Sequence, residues 1–175
     1  MLIDIREQLR VVRWGLMLSI LAIFAGFSLG GAFGAAEDSL QQFLHAQGEG
    51  VLATVYNGDT AQLDATVSKA WNYFLRAHMH AGGIGAAALS LNLLLAFLNT
   101  PIITRKLCSL ALGVGALGYP LFWLLAGIMA PGLGSTGAAK DSLEWLAVPS
   151  AGCLLLGVLG TLILSGMTLF RRERL

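Results

Sequence analysis

The sequence predicts an all-α integral membrane protein: a four-transmembrane-helix bundle, N-in and C-in, with one long helix (about 60–98) extending beyond the outer face. Three observations carry this expectation. Hydrophobic residues make up 56% of the chain and charged ones 12%, about half the charged fraction usual in soluble domains. The apolar residues come in charge-free blocks at Trp14–Ala36, Ala77–Ile103, Leu107–Ala139 and Trp145–Phe170. Each block reaches the roughly 20 residues that a helix needs to cross a hydrocarbon core of about 30 Å. The charges that remain are sorted between the two sides. Eight of the 11 Lys and Arg residues precede span one, separate spans two and three, or follow span four. Most acids fall in the alternate segments, and this positive-inside bias places both ends in the cytoplasm.

The elements follow in order, within a single membrane domain (1–175). Residues 1–13 form a cytoplasmic leader, readable as a short interfacial helix or as a polar lead-in, with Arg6, Arg10 and Arg13 ahead of TM1 (14–36). Basic residues before an apolar stretch also mark secretory signals, but this stretch exceeds their usual 7–15 residues, so it reads as a signal anchor. Residues 37–76 form an outer loop with amphipathic helices. In it Leu40, Phe43 and Leu44 recur at helical spacing, Gly48-Glu49-Gly50 interrupts, and Asn57-Gly58-Asp59 marks a turn. Asp59 or Thr60 can cap a new helix. Leu63, Val67, Ala70, Trp71 and Phe74 then continue at i+3/i+4 spacing, with no proline before Pro101. One helix from about Thr60 into TM2 (77–99) is therefore expected, near 58 Å at about 1.5 Å per residue, with Leu40–Leu44 packed on its outer extension. TM3 (107–130) follows, then an outer Gly-rich loop (131–144). Asp141-Ser142-Leu143-Glu144 has the spacing of a capping box opening TM4 (145–170), before a cytoplasmic tail (171–175).

Several function classes are disfavoured. A net charge of +1 is too small for a nucleic-acid partner. The expected spans hold no Asp, Glu, Lys or Arg, which argues against a proton-coupled carrier, and a channel or small-molecule carrier ranks third among the readings. No Ser-His-Asp or Cys-His spacing points to an enzyme. Gly134 to Lys140 lacks the phosphate-loop spacing. Cys108 and Cys153 are expected at depths that differ by more than about 10 Å, too far for a disulfide. Trp14, Trp71, Tyr73 and Trp145 sit where interface anchors are expected. Many of the 22 glycines lie in or beside the spans, as in helix faces that approach closely in lipid.

The informative stretch is Arg76-Ala77-His78-Met79-His80-Ala81-Gly82-Gly83-Ile84-Gly85 at the outer mouth of TM2. All three histidines fall on the outer side, and imidazole and thioether are ligands for haem iron or copper. On a regular helix His78 and His80 diverge by about 200°, so they cannot address one centre. The face of His78 continues through Gly82, Gly85, Leu89 and Asn92, small and polar, and marks His78 as the better candidate for the interior. If the helix breaks at Gly82-Gly83, an extended His78-Met79-His80 would turn both imidazoles to one side, which suits copper or zinc. Tyr119 and Trp123, either side of Pro120 in TM3, would line the pocket onto which His78 opens. Candidate cofactor contacts are thus His78, His80, Gly82, Gly85, Tyr119 and Trp123. Candidate metal ligands are His78, His80, Met129 and His45. A purely structural role for the histidines is the competing reading.

A His-x-His at the mouth of a membrane helix, followed by glycine and small residues, resembles helices of the haem–copper oxidase-related families over His78 to Ala87. The resemblance implies haem or copper ligation by these histidines. Two functions follow as expectations. The first is a haem b- or metal-binding membrane protein for electron transfer or redox-ligand handling, with haem b or copper as cofactor. The second is a cofactor-free accessory or scaffolding subunit. Expected partners are the bilayer, other membrane subunits or further copies meeting through Gly-rich faces. The expected location is the bacterial inner membrane.

Overall fold

The computed structural model describes residues 4–170. Met1–Ile3 and residues 171–175, with them Arg171, Arg172 and Arg174 of the expected tail, lie outside the described residues. The described residues form seven helices and no strand: α1 (Ile5–Val11), α2 (Arg13–Glu49), α3 (Leu52–Val55), α4 (Thr60–Phe97), α5 (Ile102–Met129), α6 (Thr136–Ser142) and α7 (Glu144–Leu169). Four of them, α2, α4, α5 and α7, are long and apolar enough to cross a membrane.

The long helix is present: α4 runs 38 residues without a break, with the Asp59 carboxylate accepting from Gln62 N at 3.0 Å at its start. Asn57 (φ 53°) and Gly58 (φ 81°) make the preceding turn in left-handed conformations, which Asn and Gly tolerate best. The first long helix reaches past the expected span. The helix does not end at Ala36 but passes through one non-helical residue there (φ −144°, ψ 30°) and continues to Glu49. No proline stops it, and Leu40 and Leu44 reward continuation by packing on the cluster that contains Leu63 and Val67. Residues 37–49 of α2 and 60–76 of α4 thus form a two-helix head at the end of the bundle far from the N terminus.

The head has its own core of Leu44, Tyr56, Leu63, Val67, Tyr73, Phe74 and Phe122. Tyr56 is buried and donates to Pro131 O at 2.7 Å, tying α3 to the α5–α6 connection. Trp71 and Tyr73, expected as interface anchors, pack into this region instead. The Trp71 ring lies 5.2 Å from Phe33 and that of Tyr73 lies 4.8 Å from Trp123. Trp14 and Trp145 do face outward. The segment 131–144 is not all loop. Ser135 caps α6 by accepting from Ala138 N at 3.0 Å. The expected capping box fails because Asp141 and Ser142 complete α6, leaving Leu143 to start α7 without a side-chain cap.

Toward the N-terminal end, a second cluster gathers Val12, Ala22, Ala88, Leu95, Leu112 and Leu164. Here α5 is central: it packs on α2, α4 and α7, while α7 rests chiefly on α5. Glycines permit the closest approaches. A Cβ at Gly115 would stand 2.6 Å from Leu154 N, and one at Gly157 would stand 2.8 Å from Leu112 N. Such backbone-to-backbone contacts are how helices associate where lipid removes the hydrophobic drive. Arg105, expected in a connecting segment, is buried in the first turn of α5. It donates from Nη1 to Ala96 O and Gln8 Oε1, both at 2.9 Å, so a cation caps the C-terminal carbonyls of α4 and holds α1 in place. Cys108 and Cys153 are both free thiols.

Candidate functional site

The histidines sit at the waist of α4, where the head meets the apolar part of the bundle. The helix is regular through Gly82 and Gly83, so the broken-helix alternative is not realised and the side chains diverge as a 3.6-residue repeat requires. His78 faces α2 and His80 faces α5. Both are half-buried.

His78 is held by a notch in α2. Its Nδ1–H donates to Gly26 O at 2.8 Å. A Cβ at Gly30 would stand 2.7 Å from His78 Cε1, so the missing side chain of Gly30 is the space the imidazole occupies. The Phe33 ring meets it edge-on at 5.9 Å. The hydrogen bond fixes the tautomer and leaves Nε2 as the ring's lone-pair nitrogen. One helical turn deeper, Gly82 lies on the backbone of Gly26, and Gly85 lies on Ala22 and Ile23. α2 thus fills the space beside Gly85, while a Cβ at Gly82 would meet nothing within 4 Å.

His80 belongs to a different group. Its ring lies 5.3 Å from Tyr119 and 6.4 Å from Trp123. The Arg76 guanidinium sits 4.9 Å over the Trp123 ring and 5.5 Å from that of Tyr73. Tyr119 and Trp123 therefore accompany His80, not His78 as expected, because α5 packs on the face of α4 opposite α2. The Trp123 indole N–H is buried without a partner among the described residues.

The remaining expected ligands are remote. Gly127 packs on Ala70 and Phe74, which puts Met129 near the level of Ala70, about 12 Å along α4 from His78. His45 is in the head, its Nε2 3.0 Å from Asp64 and its Nδ1 3.7 Å from Glu49. Asp64 lies about 21 Å along α4 from His78. Among the described residues no three His, Cys, Asp or Glu side chains gather in a way that would hold a metal ion. The four candidate donors thus lie on the two sides of the α4 waist, near the end of α5 and in the head. What sequence reasoning undervalued was Gly26-x-x-x-Gly30. Its small-xxx-small spacing was visible as a packing signal, yet its specific role is to receive His78.

No protein-family model, curated protein or solved structure matches this chain.

Proposed function

We propose that this protein is an accessory or scaffolding subunit of a membrane complex, cofactor-free, whose rigid head positions a partner beyond the bilayer. The observation that supports the reading is the construction of that head. Two helices continue past the apolar spans as one unit, closed by a buried core and by the Tyr56–Pro131 bond. The exposed surface of the head mixes polar residues such as Gln41 and Gln42 with the half-exposed ring of Phe43. In this reading the histidines secure α4 to its two neighbours. The positive-inside bias of the sequence orients the chain with both termini cytoplasmic and the head outside, in keeping with a bacterial inner membrane.

Purification from native membranes in mild detergent tests the proposal. The wild-type chain is expected to bring down a stoichiometric membrane partner, and Phe43→Glu to release it while the helical content stays unchanged. A stable, solitary monomer from native membranes would sink the reading.

A second reading is favoured by one specific observation, the His78 hydrogen bond to Gly26 O. Backbone carbonyls commonly orient metal-ligating imidazoles in this way, and His78 Nε2 is the atom that would bind haem iron or copper. The donors near it supply one imidazole, so a second ligand would have to come from a partner or another copy. A visible spectrum with metal analysis decides. A Soret band, or bound copper, lost in His78→Ala would establish this reading, and absence of both from the purified wild-type chain would dismiss it.

A further inference from the structure

At the N-terminal end of the bundle a groove of about 570 Å³ runs between the α1–α2 junction and the first turns of α5. Three cations line it: Arg10 and Arg13 on one wall, Lys106 on the other. Their convergence follows from the fold. Val12, with φ −106° and ψ 11°, breaks the helix between α1 and α2. The break is pinned because Val12 is buried and its carbonyl accepts from Ser109 Oγ at 3.1 Å. Gly15 lets α5 come close enough to form the second wall, since a Cβ at Gly15 would collide with the Ser109 carbonyl oxygen. Arg105, the neighbour of Lys106, is committed inward to Ala96 and Gln8. Lys106 is left exposed on the groove side.

Among the described residues none of these three cations has a carboxylate within ion-pair distance. Asp4 is engaged as the N-cap of α1, and Glu7 in the first turn of α1 makes no ion pair with them. Three like charges around one cleft repel each other, and an anion between them relieves that repulsion. Below the cations the same groove is apolar, lined by the exposed side chains of Trp14, Leu107 and Leu110. Arg13 also lies 5.5 Å over the Trp14 ring, an arrangement suited to the level of lipid headgroups. A free phosphate would use the cations and leave the apolar walls idle. A phospholipid uses both.

We propose that this groove binds an anionic phospholipid, its phosphate held by Arg10, Arg13 and Lys106 and its acyl chain laid along Trp14, Leu107 and Leu110. Basic pockets between membrane helices recognise such headgroups, and the site is independent of whether the head docks a partner.

Native mass spectrometry of the full chain in detergent tests this, with dioleoylphosphatidylglycerol, dioleoylphosphatidylcholine and inorganic phosphate as probes. Wild type is expected to retain phosphatidylglycerol in preference to phosphatidylcholine, with inorganic phosphate in excess failing to displace it. Each cation neutralised is expected to weaken phosphatidylglycerol binding roughly fivefold, so that R10Q/R13Q/K106Q loses the preference. The charge-matched control K69Q/R76Q/K140Q removes three cations from elsewhere and is expected to keep it. The single variant Lys106→Gln changes only an exposed side chain and provides the test if the triple variant does not fold. Equal retention of the two lipids by wild type would overturn the proposal. Displacement by inorganic phosphate, or equal losses in the groove and control variants, would do the same.

Discussion

The Nδ1 of His78 donates to the carbonyl oxygen of Gly26 across the α2–α4 interface, at 2.8 Å. A histidine at the waist of α4 is thereby a cross-helix fastener, seated where Gly30 has no side chain. His78→Ala removes the hydrogen bond and empties the notch. The expected loss is about 1–3 kcal/mol, read as a lowered thermal midpoint in detergent. His80→Ala forfeits mainly ring contacts with Tyr119 and Trp123, roughly 0.5–1.5 kcal/mol. Equal and negligible effects at the two positions would contradict the seating described.

Two glycines of α2, five residues apart, separate packing from composition. A Cβ at Gly26 would stand 2.7 Å from Gly82 N, whereas nothing lies within 4 Å of one at Gly31. Gly26→Ala is expected to force α2 and α4 apart at a cost of about 1–3 kcal/mol. Gly31→Ala meets no neighbour and gains helix propensity of up to about 1 kcal/mol. Thermal unfolding of the pair should therefore move in opposite directions.

Tyr56→Phe tests the closure of the head. The change removes only the hydroxyl that donates to Pro131 O and leaves that buried carbonyl without it. A destabilisation of about 1–2 kcal/mol is expected, together with faster proteolysis in the segment 50–59. Unchanged cleavage there would mean that the head is held by its apolar core alone.

Arg105→Lys is expected not to rescue Arg105→Met. Both hydrogen bonds of Arg105 come from one nitrogen, Nη1, which reaches Gln8 and Ala96 together, and a lysine ammonium ends one bond short of that position. Either change is expected to cost about 2–3 kcal/mol, and hydrogen exchange should rise first at the amides of α1. Protection of α1 equal to wild type in both variants would argue that its position depends on other contacts.

Most of the elements were legible in the residues. The Asp59 cap, the unbroken run from Thr60 and the end of α2 at Glu49 rest on local signals: a turn, a capping carboxylate, apolar spacing and Gly48-Glu49-Gly50. Continuation of α2 beyond Ala36 was not legible, because the charges of Glu37 and Asp38 resemble a span boundary while the reason to continue lies in Leu44 packing beside Leu63 and Val67. The capping box at Asp141 misled for a similar reason. Its spacing is correct, but Ser135 had already started a helix that uses those residues.

The candidate site divides along the same line. The sequence by itself determined that His78 and His80 cannot share a centre on a regular helix, since two positions apart means about 200° of rotation, and the structure supplied the unbroken helix. It also determined that four helices are long and apolar enough to span a membrane, because the length of an apolar block is a local property. Only the tertiary structure decided that α2 stands on the His78 side and α5 on the other, and so that Gly26 and Gly30 receive one ring while Tyr119 and Trp123 receive the other. The physical reason is that a helix's periodicity sets the directions of its side chains, whereas the order in which helices pack is set by close approach at particular glycines on partners distant in the chain.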